Sequence, residues 1–345
     1  MRALITGGAG FIGSALVRLA IEQLGWTVTT LDKLTYAASL SALDPVADDA
    51  RHSFIKGDIA DRETVRAILG DFRPNLVINL AAESHVDRSI DEPSQFIATN
   101  IEGVFVLLEE LRALAAKGTT PRLLQVSTDE VFGSLEAQGA FTEQSPYRPN
   151  SPYSASKAAA DHLARAWGRT YGLPTMVSHS SNNYGPFQHP EKLIPRMILS
   201  ALGGQPLPVY GDGLHVRDWL HVEDNARALA TIVTEGQPGE SYVIGGLSER
   251  TNLSVVKAIC ARLDERLPGM AHARLIAHVD DRPGHDRRYA IDPAKVGKEL
   301  SWTPETLFEQ GLAKTVDWYC DNETWWRPII DRDGLTERLG LACSA

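Results

Sequence analysis

Thr128, Asp129 and Glu130 follow the apolar run Leu123 to Ser127 and precede Tyr153 and Lys157, a tyrosine and a lysine at Y-x-x-x-K spacing. On a helix that spacing puts both side chains on one face a turn apart, where an ammonium can lower the phenol's pKa and hydrogen-bond a nicotinamide ribose. The tyrosinate can then take a sugar hydroxyl's proton as hydride leaves, with Thr128 hydrogen-bonding the same oxygen. Asp129 and Glu130 add a second chemistry. Oxidation to a ketone acidifies the neighbouring C–H, which suits Glu130 as a base. A leaving hydroxyl on the next carbon needs a proton, which Asp129 can supply if burial and its carboxylate neighbour raise its pKa. Loss of water is therefore expected beside hydride transfer. Successive strand residues point to opposite faces, so both acids must sit in an irregular turn to reach one substrate. A lone Y-x-x-x-K or D-E dipeptide is commonplace on ordinary surfaces; their shared location gives them weight.

These groups need a cofactor, and the first apolar run ends in T-G-G-A-G-F-I-G, with Gly7, Gly10 and Gly13 at the junction of a strand and a helix. Glycines are needed there because a side chain would hold a pyrophosphate away from the backbone N–H groups and the helix N-terminus. Asp32, closing the second run, can accept hydrogen bonds from both hydroxyls of an adenosine ribose and repels a 2′-phosphate, so NAD is preferred to NADP. Lys33 beside it can offset part of that repulsion. Asp58 and Ile59 after the third run could meet the adenine. Ala81 and Ala82 after the fourth let the chain pass close to the cofactor.

The runs Ala3 to Thr6, Val28 to Leu31, Phe54 to Ile55, Leu76 to Leu80, Leu123 to Ser127 and Thr175 to Ser178 are continuously apolar rather than alternating. That is the pattern of strands covered on both faces, so an α/β, Rossmann-type doubly wound parallel sheet is expected. Beyond residue 180 the chain is punctuated by Pro and Gly. A smaller α/β substrate domain is expected over 181–345, interleaved with an NAD-binding domain over 1–180 to which 218–240 returns. The stretch 94–114 reads as one helix whose apolar arc, Phe96, Ile97, Ile101, Val104, Phe105, Leu107, Leu108 and Leu111, is wider than a sheet requires. With Leu163, Trp167 and Tyr171 of the helix over 153–171 it suits either a homodimer interface or ordinary core packing.

The bulk properties exclude several classes. Among 345 residues, 44 acidic and 34 basic side chains give a net charge of -10, which repels nucleic acid. Cys260, Cys320 and Cys343 form no C-x-x-C and suggest neither a disulfide framework nor a zinc site; no metal is expected, and a reducing cytoplasm fits. The chain enters its first strand at Arg2, leaving no room for a signal peptide, and no apolar run suffices to span a membrane.

Taken together, these motifs resemble the extended short-chain dehydrogenase/reductase superfamily and, within it, the dTDP-glucose 4,6-dehydratase family. The resemblance runs through Leu31–Ala37, Leu80–Ile90, Ser127–Gly133, Pro152–Lys157, Ser181–Pro186, Pro190–Pro195, Arg217–Leu220 and Asp281–Ala290. It implies conversion of dTDP-glucose to its 4-keto-6-deoxy product by tightly held NAD, which takes hydride from carbon 4 and returns it to carbon 6. Tyr153 is then the redox base, Lys157 its partner, Thr128 the hydroxyl aligner, Asp129 the acid and Glu130 the base of elimination. Phe11, Ile12, Thr35, Leu80, Ser84 and Asn182 are implied around the cofactor, and Ser84 with His85 near the glucose. For the nucleotide end it implies Asn182, Lys192, Leu193, Pro208, Tyr210, Arg217, Asn252, Arg282 and His285. The family encloses its nucleotide with a C-terminal tyrosine; this chain has no tyrosine after Tyr319, and Trp325 and Trp326 are the aromatics there. The rival readings are a dehydratase or 4-epimerase of the same superfamily using a UDP- or CDP-sugar, and a catalytically idle NAD-binding sensor.

Overall fold

The first apolar run becomes β1 (Arg2–Thr6), and strands are added first on one side of it and then on the other. The computed structural model describes residues 1–281 and 284–334. β2 (Thr27–Asp32) and β3 (His52–Lys56) extend the sheet one way; β4 (Leu76–Asn79), β5 (Arg122–Thr128) and β6 (Thr175–Ser180) extend it the other way. β7 (Asn182–Tyr184), β8 (Leu207–Tyr210) and β9 (Val216–His221) lie outside this sheet, and β10 (Ser241–Ile244) returns to its edge beside β6. Among the described residues the order is β10-β6-β5-β4-β1-β2-β3, with every pairing parallel. The winding therefore reverses between β1 and β4, and the loops diverge there to open a crevice beyond the carboxyl ends of the strands.

Continuous apolar runs were the right signal because the inner strands are covered on both faces, with Leu4, Ile5, Val77, Ile78 and Leu124 inaccessible to solvent. Three polar side chains in these strands satisfy one another: Thr6 Oγ1 donates to Asn79 Oδ1 (2.6 Å), and Asn79 Nδ2 donates to Gln125 Oε1 (2.7 Å). The Val222–Glu235 helix packs on the Phe11–Glu22 helix, so Ala226, Leu229 and Val233 share a core with Leu16 and Ala20. Val296 and Trp302 join the same core. A separate core unites the helices Leu193–Leu202, Asn252–Arg266 and Phe308–Asp321 around Tyr184 and Trp219. β11 (Glu249–Thr251) runs antiparallel to β9, and β12 (Ile276–Val279) runs parallel to β8.

The single helix expected over 94–114 is broken into a short helix Pro93–Ile97, a π-helical stretch Ala98–Glu102 and a helix Gly103–Ala115. Asn100 in the π stretch turns its side chain onto the loop after β4, accepting from Glu83 N (2.9 Å) and donating to Glu83 O (3.0 Å) and Ser156 Oγ (2.8 Å). An apolar count cannot register that extra residue per turn.

The glycine loop is packed against backbone. Gly7 has φ +67°, and a Cβ there would lie 2.6 Å from Ala81 N; one at Gly13 would lie 2.1 Å from Gly7 O. Because backbone cannot swing aside, Gly13→Ala should cost about 1–3 kcal/mol of stability, measured as a lower urea midpoint. An unchanged midpoint would show that the loop relaxes freely.

Candidate active site

Three consecutive residues at the end of β5 engage three residues of the Pro152–Tyr171 helix. Val126 O accepts from Lys157 Nζ (2.6 Å), Ser127 Oγ donates to Asp161 Oδ2 (2.7 Å), and the Thr128 side chain faces the Tyr153 phenol and favours its ionisation. The helix starts where it must for this. Ser151 and Ser154 form a reciprocal cap, each side chain accepting from the other's N–H at 3.1 Å, and Pro152 occupies the first turn.

β5 stops at Thr128, and Asp129–Phe132 forms a 3₁₀ turn that Thr128 caps, its Oγ1 accepting from Glu130 N (3.3 Å). This is the irregular turn that the acid pair required. Asp129 is 1% exposed; its Oδ1 accepts from Thr128 Oγ1 (3.3 Å), and its Oδ2 is without a hydrogen-bond partner among the described residues. Burial, then the charges of Glu130 and Asp218, push its carboxyl well above the ordinary range, which favours the protonated form that an acid must hold before it can give its proton away.

The expected depression of Tyr153 by Lys157 is not found. Burial, and after it Glu130, raises the phenol, and the Lys157 ammonium is turned to the Val126 carbonyl. Burial lowers Lys157 itself to about 8, against an opposing pull from Asp161.

A cavity of about 290 Å³ runs along the switch point. Its walls include Gly7, Gly10, Phe11, Ile12, Gly13, Asp32, Lys33, Thr35, Asp58, Ile59, Leu80, Ala81, Ala82, Ser84, Asn182, Tyr153 and Lys157, together with Thr128, Asp129 and Glu130. The glycine cradle, which a Cβ at Gly7 or Gly13 would disrupt, fits a dinucleotide pyrophosphate. Asp32 accepts from Ala9 N (3.0 Å) and Leu34 N (2.8 Å), so its carboxylate also fastens the loop. Lys33 gives no support to a 2′-phosphate: its Nζ is held by Thr99 Oγ1 (2.7 Å), Glu83 (3.3 Å) and Asp58 (3.8 Å).

A second cavity of about 310 Å³ is lined by Ser84, His85, Glu130, Asn182, Lys192, Leu193, Pro208, Tyr210, Arg217, Asn252 and His285. Arg282 lies outside the described residues. Ser84, Glu130, Asn182, His189, Glu191 and Lys192 line both cavities, so the two meet at Glu130, next to Asp129, which lines the first. Asp333 and Gly334 reach the second cavity, whereas Trp325 and Trp326 point elsewhere: Trp325 Nε1 donates to Ser39 Oγ (3.0 Å) and Trp326 Nε1 to Tyr319 O (2.7 Å). His215, Asp281 and His285 bring three possible metal-ligand atoms within 4.8 Å; here the two oxygens of Asp281 bridge the two imidazoles, at 3.1 and 2.6 Å.

Sequence reading missed Asn100, Glu191 and Asp161. Glu191 accepts from Tyr36 OH (3.0 Å) and Arg88 Nε (3.3 Å) where the cavities join. Its place within the Pro190–Pro195 motif is the sequence signal that points to it. Asn100 and Asp161 are isolated polar residues in helices, and nothing in their spacing marks them.

The sheet, glycine cradle and Thr/Tyr/Lys set define an extended short-chain dehydrogenase/reductase. Residues 4–315 match the family described as GDP-mannose 4,6 dehydratase. The chain is 55% identical to a dTDP-glucose 4,6-dehydratase of Neisseria meningitidis over 98% of each sequence, and 50% identical to one of Escherichia coli over 99% of each. Among solved structures, a dTDP-glucose 4,6-dehydratase of Bacillus anthracis in complex with NAD has 45% identity and a TM-score of 0.86, covering 95% of this chain and 99% of that one. A Thermus thermophilus UDP-glucose 4-epimerase with NAD has 30% identity and a TM-score of 0.82, covering 93% and 100%. The chain belongs to the dTDP-glucose 4,6-dehydratase family.

A carboxyl that binds its proton more tightly in the fold than in the unfolded chain destabilises increasingly as pH rises above its unfolded value, about 3.9. Asp129→Asn should therefore melt above the wild type at pH 7, and its advantage should vanish toward about pH 4. Calorimetry across that range checks both; a neutral-pH midpoint below the wild type would contradict the assigned protonation.

Proposed function

We propose that this chain is an NAD-dependent hydro-lyase that converts dTDP-glucose to dTDP-4-keto-6-deoxyglucose and water. The observation that carries this reading is the acid pair where a dinucleotide cavity meets a second cavity: Glu130 lines both, and Asp129 lines the first beside it. Simple 4-epimerisation needs no such pair. We assign 1–180 to NAD, with the stretch expected at 218–240 returning to it as the Val222–Glu235 helix followed by β10, and the remainder of 181–345 to the nucleotide sugar.

NAD, when bound, supplies the hydride acceptor and a positive ring whose charge favours ionisation of Tyr153. Gly7, Gly10 and Gly13 admit its pyrophosphate, Asp32 takes the adenosine ribose, and Lys157 takes the other ribose. Tyr153 accepts the proton of the sugar 4-hydroxyl while Thr128 holds the same oxygen. Glu130 removes the proton from carbon 5 and Asp129 donates its proton to the departing 6-hydroxyl; bound NAD would supply the hydride for carbon 6, and Glu130 would give its proton back to carbon 5. At the nucleotide end Lys192 and Arg217 supply positive charge for the diphosphate inside an acidic protein.

A homodimer is supported by Ile97, Phe105 and Tyr171, large apolar side chains 39–49% exposed on adjacent helices. Trp167 stacks edge-on against both Phe105 (5.9 Å) and Tyr171 (5.5 Å). Among the described residues no helix is long and apolar enough to cross a membrane, and Cys260 and Cys320 are free. These features accord with a cytoplasmic enzyme, and the net charge of -10 disfavours nucleic acid.

Tyr153→Phe should abolish the first oxidation, whereas Glu130→Gln should still reduce NAD but lose elimination by about 10²–10⁴-fold. Rapid-quench analysis of one turnover separates the two, and wild-type product release by Glu130→Gln would remove its assigned role. Parallel incubation with dTDP-, UDP- and CDP-glucose should give alkali-absorbing ketone from the dTDP-sugar alone.

Phe105→Glu combined with Tyr171→Glu should convert a dimer to a monomer in sedimentation velocity. A wild-type monomer would refute the interface.

A further inference from the structure

Asp161 lies one helical turn beyond Lys157 on the Pro152–Tyr171 helix and is completely buried. Its Oδ2 accepts from Ser127 Oγ (2.7 Å) and Tyr147 OH (3.0 Å) and lies 3.2 Å from His179 Nε2. These partners come from the end of β5, from the 133–151 loop and from β6. Ser127 lines the cofactor cavity, whereas Asp161, Tyr147 and His179 line neither cavity, so the carboxylate stands behind the reacting groups.

Lys157, also buried, donates to a neutral oxygen, Val126 O. A buried ammonium without a counter-charge tends to shed its proton. The carboxylate that acts on Lys157 is Asp161. We propose that Asp161, held by Ser127, Tyr147 and His179, is a positioning residue that keeps Lys157 an ammonium and sets it against β5 for the oxidation step. The inference rests on the role given to Lys157 above. Other groups facing this assembly are Tyr153 on the same helix, Arg165 over the Tyr147 ring (5.0 Å) and His162 beside that ring (4.9 Å).

The test separates charge from hydrogen bonding. Lys157 has a folded value of about 8, below its ordinary value, so in the fold it is charged below pH 8 and neutral above it. Asp161 stabilises only the charged form. Thermal midpoints of the purified chain should therefore show an Asp161→Asn deficit that is widest below about pH 8 and narrows as pH rises past it. In single-turnover NAD reduction, the alkaline limb of the same variant should move at least one pH unit toward acid. Tyr147→Phe, which removes a hydrogen bond and leaves the charge, should leave that limb in place. The pH-dependent deficit should persist in a His179→Gln background.

A deficit independent of pH, its disappearance with His179, or an equal shift of the limb in Tyr147→Phe would each overturn the proposal. If Asp161→Asn does not fold, adding Lys157→Met should restore folding by removing the uncompensated charge. Failure of that double variant, with Lys157→Met alone folded, would assign Asp161 to the hydrogen-bond network only. The thermal measurement involves no turnover, so a narrowing deficit in a chain inactive on dTDP-glucose would fault the assigned reaction and leave the pairing intact.

Discussion

Removal of water from the end of β5 sets the protonation state of the groups around it. Burial favours neutral forms, so it raises Asp129 and Tyr153 and lowers Lys157. For Asp129 that shift is useful in itself, because an acid must hold a proton at neutral pH before it can give one to a leaving hydroxyl. For Tyr153 and Lys157 the same burial opposes function. Ionising them requires compensating charges aimed into the site, and the chain's own contribution is a carboxylate behind the lysine. One low-dielectric environment thus prepares one member of the set and imposes a cost on the other two.

The geometry follows from a strand that ends one residue before the acids are needed. Had β5 continued through Glu130, the two carboxyl groups would have pointed to opposite faces of the sheet. The Thr128 cap ends the strand and begins a 3₁₀ turn, so a single hydroxyl faces the phenol, Asp129 and the Glu130 amide. Val126 and Ser127 anchor the facing helix at the same level. Oxidation, elimination and hydride return can then act on one sugar that does not move between sites.

Cations are concentrated locally in an acidic chain. Arg88, Lys192, Arg196 and Arg217 line the second cavity beside Asp87, Glu130, Glu191 and Asp333, so its wall is balanced where the chain as a whole is acidic. Charges that line a cavity act more strongly than the many outward carboxylates, which salt and water screen. Lys33 shows the opposite use of a cation: Glu83 and Asp58 pair with it, so on the proposed function it does not offset the repulsion between Asp32 and a 2′-phosphate.

Much of this protein was readable from local pattern. Continuous apolar runs specified a parallel sheet because its inner strands have no wet face, and the glycines announced a cradle because their neighbours are backbone. The acid pair and Tyr153 with Lys157 could be placed because each depends on a spacing within one element. What only the tertiary structure decided depends on groups far apart in sequence. Asn100 grips the loop at Glu83 from a π-helical stretch, Asp161 gathers partners from β5, β6 and the intervening loop, and Lys157 turns to Val126 rather than to the phenol. Spacing along a chain reports which residues share a face. Desolvation and the direction of a hydrogen bond depend on what folds against that face, and for an isolated polar residue in a helix the sequence contains no periodic signal of it.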